Sequence, residues 1–110
     1  MAQFNFNYKG KNFNIDAEIC DNYFSRARGI MFRKKSKPLL FLFDKLNRQA
    51  IHSFFCIPFI AIWFDEKKII DIRYVKPWKI SLKPKEKFNK LLEIPEGDVN
   101  FGLLKVLIQK

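Results

Sequence analysis

The sequence predicts an all-β fold, a small β-sandwich or a partly closed barrel of about eight short strands, with one short helix near residues 21–29. Three observations favour this class. Apolar and polar residues alternate near the N-terminus, several apolar runs have the length of a strand, and turn residues separate these runs at short intervals. The 110 residues contain no internal repeat and no linker, so we expect a single domain over 1–110.

The N-terminal segment predicts a hairpin followed by a helix. Aromatic residues alternate with asparagine over 4–8, a Lys-Gly-Lys-Asn turn follows, and apolar residues resume the alternation over 13–19. Asp21 can then cap a short helix, and Gly29 supplies a typical stop. A hairpin that leads into a helix is therefore the predicted start of the fold.

The other strands are predicted from apolar runs between polar connections. They cover 39–43, 50–55, 59–64, 69–75, 89–94 and, after one short helical turn, 104–108. Pro58 separates two of these runs, which is typical of an edge strand or a bulge. The stretch 76–87 contains two prolines and several lysines, so we expect it to be a surface connection.

The charge balance favours an anionic partner. Basic residues outnumber acidic ones by 21 to 11, which gives a net charge of +10. Charge of this sign attracts nucleic acid or anionic lipid. Lysine, asparagine, isoleucine and phenylalanine are abundant together, however, and they share A- and T-rich codons. A biased genome is therefore a second source of the lysines.

The sequence predicts a cytoplasmic protein. The longest apolar run, 54–64, is much shorter than the ~20 residues that a membrane-spanning helix needs. The N-terminus alternates polar and aromatic residues, and it has neither the basic nor the apolar region of a signal peptide. We expect no transmembrane segment.

The residue types in the sequence argue against several kinds of catalytic and binding site. His52 is the only histidine, and Ser53 beside it would point to the opposite face of a strand, so the two do not form a nucleophile and base. Cys20 and Cys56 are too few for a disulfide framework, which leaves two buried thiols or a single bridge. No glycine-rich phosphate loop is present. We predict no catalytic set, no metal site and no cofactor.

Candidate binding residues lie in basic and aromatic segments. Arginine offers planar donors to an anion, and an exposed tryptophan offers a stacking surface. The candidate ligand-binding residues are Arg28, Arg33, His52, Lys76 and Trp78. The alternative nucleic-acid-binding set lies in the basic patch 26–37 and comprises Arg26, Arg28, Arg33, Lys34, Lys35 and Lys37.

An ordered set of short elements spans residues 25–97. It comprises Gly-Ile-Met-Phe-Arg at 29–33, Leu-Leu-Phe-Leu-Phe at 39–43, Ile-His-Ser-Phe-Phe at 51–55, Val-Lys-Pro-Trp at 75–78 and Leu-Glu-Ile-Pro-Glu-Gly at 92–97. In this order the elements resemble the domain-of-unknown-function family 192, in an archaeal form. The resemblance implies an all-β, sandwich-like domain with a small helix. It implies no activity, because the biochemical role of that family is unsettled.

One position departs from the pattern of that family. The family usually has an acidic residue two positions after the proline that matches Pro58, and this chain has Ile60. A shared catalytic or metal-binding carboxylate at that site would therefore be missing here. The leading hypothesis is a small cytoplasmic binding or accessory module for an anionic ligand. The alternatives are non-specific nucleic-acid binding and an unrecognised enzyme that uses the same pocket.

Overall fold

A computed structural model describes residues 2–20, 37–51, 53, 56–79 and 81–109, and it confirms that the chain is mainly β. The described residues contain six strands and one helix. The strands are β1 Ala2–Tyr8, β2 Lys11–Cys20, β3 Leu39–Asn47, β4 Phe59–Asp65, β5 Lys68–Val75 and β6 Phe88–Pro95, and the helix is α1 Phe101–Gln109.

The six strands form one curled sheet, a half-barrel, in the order β1-β2-β3-β6-β4-β5. Only the β2–β3 pair is parallel, and the other neighbours are antiparallel. The predicted partly closed barrel is thus confirmed. Strand β6 arrives last in the sequence but lies between β3 and β4, so it brings distant parts of the chain together at the centre of the sheet.

Both faces of the sheet are covered, which explains the unbroken apolar run of β4. Its residues alternate between two clusters, and every side chain from Phe59 to Phe64 is buried. We call the face with Ile60 and Ile62 the helix face, because α1 packs there against β4 and β5. The opposite face, with Phe59, Ala61 and Trp63, is called the loop face, because residues of the connections 51–58 and 76–87 pack against it.

The N-terminal hairpin has the structure that its sequence predicts. Phe4 pairs with Ile15 and Phe6 with Phe13 across the two strands. The turn residues Lys9 and Gly10 both have positive φ, 50° and 81°, as a tight two-residue hairpin turn requires.

The predicted strand 104–108 is wrong, because this segment belongs to helix α1. Phe101, Leu104 and Leu107 are buried, three residues apart on one face of the helix, while Val106 is 50% exposed. The Asn100 backbone amide donates to the Asp98 carboxylate at 3.0 Å just before the helix begins. A short apolar run fits either period, and here packing against the curled sheet selects the helix.

The predicted strand 50–55 is represented in the described residues by a single bridge, in which Ile51 pairs with Leu82. Pro58 directly precedes β4, where a missing amide costs no ladder bond, and its carbonyl accepts from the Glu96 amide at 2.8 Å. The predicted helix near 21–29 lies outside the described residues.

Candidate functional site

Ser53 fixes the turn that carries two of the predicted binding residues. Its side chain is fully buried. The hydroxyl donates to the Lys76 carbonyl at 2.6 Å and accepts from the Lys79 amide at 2.7 Å. Its own amide donates to the Lys79 carbonyl at 3.0 Å, and its carbonyl accepts from the Trp78 amide at 3.0 Å. One buried serine therefore holds both sides of the turn 76–79 against the connection 51–58.

Trp78 occupies an unusual position at the tip of this turn. Its φ is 68°, in the left-handed region that bulky residues avoid at a cost on the order of 1 kcal/mol. The residue is nevertheless 60% exposed, so apolar burial does not explain the conformation. Lys76 and Lys79 are exposed on either side. The turn thus carries an exposed tryptophan and two exposed lysines within four residues, on a backbone that the bonds to Ser53 hold in place.

The rest of the connection 76–87 extends the positive charge of this turn. Its other basic residues are exposed, and its one acidic residue is Glu86. Three contacts fasten it to the body of the protein. Arg48 donates to the Pro84 carbonyl at 2.9 and 3.2 Å, Leu82 pairs with Ile51, and the Lys85 amide donates to the Asp71 carboxylate at 3.3 Å. The exposed lysines of this connection are Lys76, Lys79, Lys83, Lys85 and Lys87.

The structure brings together two of the five candidate ligand-binding residues, Lys76 and Trp78, within one turn. The described residues also include Lys37 of the alternative nucleic-acid set, which is exposed just before β3. The remaining candidates lie outside the described residues: Arg26, Arg28, Arg33, Lys34, Lys35 and His52. Their membership of the site stays a prediction.

Glu93 is a buried acidic residue in the C-terminal half of β6 that was not identified from the sequence. It pairs with Leu39 of β3 on one side and with Ala61 of β4 on the other, and only 5% of it is exposed. Its side chain has no hydrogen bond or ion pair in the part of the chain that the structure describes. Burial raises the pKa of Glu93 from 4.5 to about 8, so the carboxyl is mostly protonated at neutral pH.

The sequence contains an indication that Glu93 is an unusual buried acid. It is the single acidic residue of β6, and it shares a face with Leu91 in a strand that is largely apolar. A carboxylate at a core position of a strand is costly unless it is neutral, paired or ligated. That rule would have singled out Glu93.

The thiol of Cys56 lies near Glu93. Burial, and secondly the negative charge of Glu93, raise the pKa of the Cys56 thiol from 9.0 to about 11. A thiol that keeps its proton at neutral pH is a poor nucleophile. Neither Cys56 nor the buried Cys20 is in a disulfide bond, which favours the two-thiol alternative.

A second polar atom without a partner lies on the same face as Glu93. The indole Nε1 of Trp63 is buried and has no hydrogen-bond acceptor. The guanidinium of Arg73 lies over this ring, 5.7 Å from its centre, and also forms an ion pair with Asp71 at 2.9 Å. The loop face therefore contains a neutral acid, an unsatisfied N–H donor and a partly exposed arginine in neighbouring positions.

Two further properties bear on the class of site. Residues 2–20, 37–51, 53, 56–79 and 81–109 include no group of three or more acidic, cysteine or histidine side chains arranged to hold a metal ion. Within the same ranges, none of the helical structure has the length and apolarity to cross a bilayer.

Comparison with known families identifies the chain. Residues 5–105 match the model of the domain-of-unknown-function family 192, described as an uncharacterized ACR. The chain belongs to this family. The resemblance deduced from the ordered elements is therefore confirmed, and Glu93 lies within one of those elements, 92–97.

Archaeal relatives support the assignment to family 192. The chain is 31% identical over 93 residues to a UPF0127 protein of Pyrococcus furiosus, covering 81% of this chain and 79% of that protein. It is 34% identical over 84 residues to a UPF0127 protein of Pyrococcus abyssi, covering 73% and 71%. These relatives confirm the archaeal form.

Two crystal structures share the fold of this family 192 chain. One is a protein of unknown function from Novosphingobium aromaticivorans, with a TM-score of 0.76 and 18% identity over 96% of this chain and 76% of that one. The other is a putative transcription regulator from Sinorhizobium meliloti, with a TM-score of 0.75 and 17% identity over 94% and 81%. Sequence identities this low support a shared fold and no shared function.

Proposed function

We propose that this chain is a binding module for an anionic ligand and that the turn 76–79 contacts that ligand. The observation that carries the proposal is the exposed ring of Trp78 in a left-handed backbone conformation, held by a buried serine. Uncommon backbone conformations persist where the surrounding structure enforces them, and they concentrate at functional sites. Apolar burial gives no reason for this one.

The chemistry of the turn suits a ligand that combines an aromatic ring with a phosphate group. A planar ring stacks on an exposed indole, and lysine ammonium groups act as point charges toward phosphate. Lys76 and Lys79 flank Trp78 in the sequence and are exposed. Arg28, Arg33 and His52 complete the proposed site as sequence-based expectations.

The proposal is tested by titrating the protein with ADP at low salt and following tryptophan fluorescence. Trp63 is fully buried, so quenching by the ligand should come from Trp78. We expect the Trp78→Phe variant to lose the signal, and the double variant Lys76→Gln, Lys79→Gln to bind about tenfold more weakly by calorimetry. The matched control is Lys67→Gln, Lys68→Gln, at two exposed lysines where the β4–β5 turn meets β5. Equal loss in both double variants would contradict a localised site.

A second variant pair tests whether the turn must be held in place. Ser53→Ala removes the hydroxyl that bonds Lys76 and Lys79 but keeps every proposed contact residue. We expect weaker ADP binding in this variant while its circular dichroism spectrum stays that of the wild type. Ser81→Ala, at an exposed serine of the same connection, should bind ADP as the wild type does.

Single-stranded nucleic acid is the second candidate ligand, and the exposed lysines that continue from Trp78 to Lys87 favour it. A strand whose first base stacks on Trp78 could follow these charges. An oligonucleotide should then bind more tightly than ADP, with an affinity that falls as salt rises, at a slope near −0.7 per phosphate contacted. If an oligonucleotide bound no more tightly than ADP, we would conclude that the site takes a small ligand only.

The enzyme alternative requires a reactive group beside the turn. The nearest hydroxyl in the described residues is that of Ser53, which is fully buried and already donates to one carbonyl while accepting from one amide. The Cys56 thiol keeps its proton because its pKa is about 11. These two groups favour binding over covalent catalysis at this site.

A further inference from the structure

Two buried polar groups on the loop face have no hydrogen-bond partner among the described residues. They are the carboxyl of Glu93, in a residue that is 5% exposed, and the indole Nε1 of Trp63, in a residue that is fully buried. Buried polar groups in folded proteins are nearly always hydrogen-bonded, to protein, water or ligand. Two such groups without a partner on neighbouring strands indicate that another molecule supplies their hydrogen bonds.

The strand register places both groups around Ala61. Ala61 pairs with Glu93 on β6 and with Arg73 on β5, and Trp63 follows two residues along the same face of β4. Side chains at directly opposed positions have Cβ atoms about 5 Å apart. Ala61 has the smallest side chain of this group, so its methyl group occupies less space on this face than the three longer side chains at the neighbouring positions.

We propose that the position above Ala61 is a buried site for the carboxylate group of a small ligand, which accepts hydrogen bonds from the carboxyl of Glu93 and the indole of Trp63. This site differs from the turn 76–79 in its residues and in its ligand chemistry, so neither proposal depends on the other.

The polarity of the site favours an acceptor group. Because the pKa of Glu93 is about 8, its carboxyl offers an O–H at neutral pH, and Trp63 offers an N–H. A carboxylate has two oxygens and can accept both bonds at once. The guanidinium of Arg73 adds positive charge over the Trp63 ring, although Asp71 already pairs with it.

The groups that face Glu93 set the pH dependence of binding. From the described connection it faces the protonated Cys56 thiol, from β5 the Arg73 and Asp71 pair beyond Ala61, and from β3 the apolar Leu39. Above a pH of about 8, Glu93 ionises, loses its donor and repels a ligand carboxylate. We therefore expect affinity for carboxylates to fall as pH rises through that value.

The two tryptophans provide a direct test by NMR. In a protein labelled with ¹⁵N, each indole N–H gives one signal, and the Trp78→Phe variant assigns the Trp63 signal. We expect sodium propionate, at about two pH units below the pKa of Glu93, to shift the Trp63 signal in a saturable way. Propionamide and sodium chloride at equal concentration should leave it in place, and the Trp78 signal should not follow propionate.

Variants at carboxyl positions decide whether Glu93 is the group responsible. Glu93→Gln should weaken propionate binding about tenfold and remove its pH dependence, while Glu96→Gln, at an exposed site two residues beyond Ile94, should change neither. An unshifted Trp63 signal in saturating propionate, or equal shifts with chloride, would overturn the proposal. A Trp63 N–H that exchanges magnetisation with bound water and ignores propionate would also overturn it, since water alone would then fill the site.

Discussion

At the scale of single residues, the properties of the loop face depend on whether the carboxyl of Glu93 is protonated. Its neighbours on the adjacent strands, Leu39 and Ala61, are apolar and give its charge no compensation. A carboxylate in such surroundings avoids the cost of burial by staying protonated. The proton should therefore set both the stability of the sheet and its behaviour toward ligands.

The pH dependence of unfolding tests this effect. Burial raises the pKa of Glu93 to about 8, against 4.5 for its usual value. Between these values the unfolded chain has released the proton and the folded chain keeps it, so stability falls as pH rises, by at most about 1.4 kcal/mol per pH unit. Urea unfolding at both ends of this window should show the loss in the wild type.

The same experiment with Glu93→Gln separates this group from the other titrating residues. The variant should lose less stability than the wild type as pH rises from about 4.5 to about 8, because its amide does not ionise. Glu96→Gln, which alters an exposed carboxyl, should follow the wild-type curve. Parallel curves for wild type and Glu93→Gln would show that Glu93 is ionised in the folded protein.

At the scale of elements, strand periodicity was a good guide where one face is polar or a turn is distinctive. The β1–β2 hairpin has alternating asparagine and a glycine turn, and the structure confirms it. The turn is shorter than predicted, because Lys11 and Asn12 already belong to β2. The segment 104–108 contained apolar residues that satisfy both a strand and a helix period, and the sequence alone favoured the wrong one. Trp78 and Lys76 were identified from their side-chain chemistry and their place in the Val-Lys-Pro-Trp element, whereas the role of Ser53 in holding them depends on contacts across 23 to 26 residues of sequence.

Adjacent substitutions in α1 distinguish a helix from a strand in solution. In a strand, Leu104 and Val106 would share the buried face, whereas in the helix Val106 is exposed and Leu107 is buried. Leu107→Ala should cost about 2–5 kcal/mol of unfolding free energy, toward the lower end because Leu107 keeps 8% of its surface exposed, and Val106→Ala less than about 1 kcal/mol. Comparable losses at both positions, measured by thermal or urea unfolding, would be inconsistent with the helix.

At the scale of the whole molecule, the curled sheet separates two environments. The helix face is apolar throughout its buried cluster, and α1 contributes Phe101, Leu104 and Leu107 to it. The loop face contains the buried Glu93 and the anchored turn of Trp78. The sequence could not predict this separation, because it follows from β6 entering the sheet between β3 and β4.

The separation of the two faces bears on Ile60, the position at which this chain departs from the pattern expected of its family. The sequence resemblance leads us to expect an acidic residue there, but Ile60 is fully buried on the helix face, among apolar side chains. Glu93 projects from the opposite face, so it does not take the place of an acidic residue at position 60.

Ile60→Asp should therefore lower the free energy of unfolding by several kcal/mol, because the helix face offers the carboxylate no described partner. Ile60→Leu, which conserves volume, should cost less than about 1.5 kcal/mol. Equal stability of Ile60→Asp and Ile60→Leu in urea unfolding would mean that the helix face of this chain accommodates a carboxylate at this position.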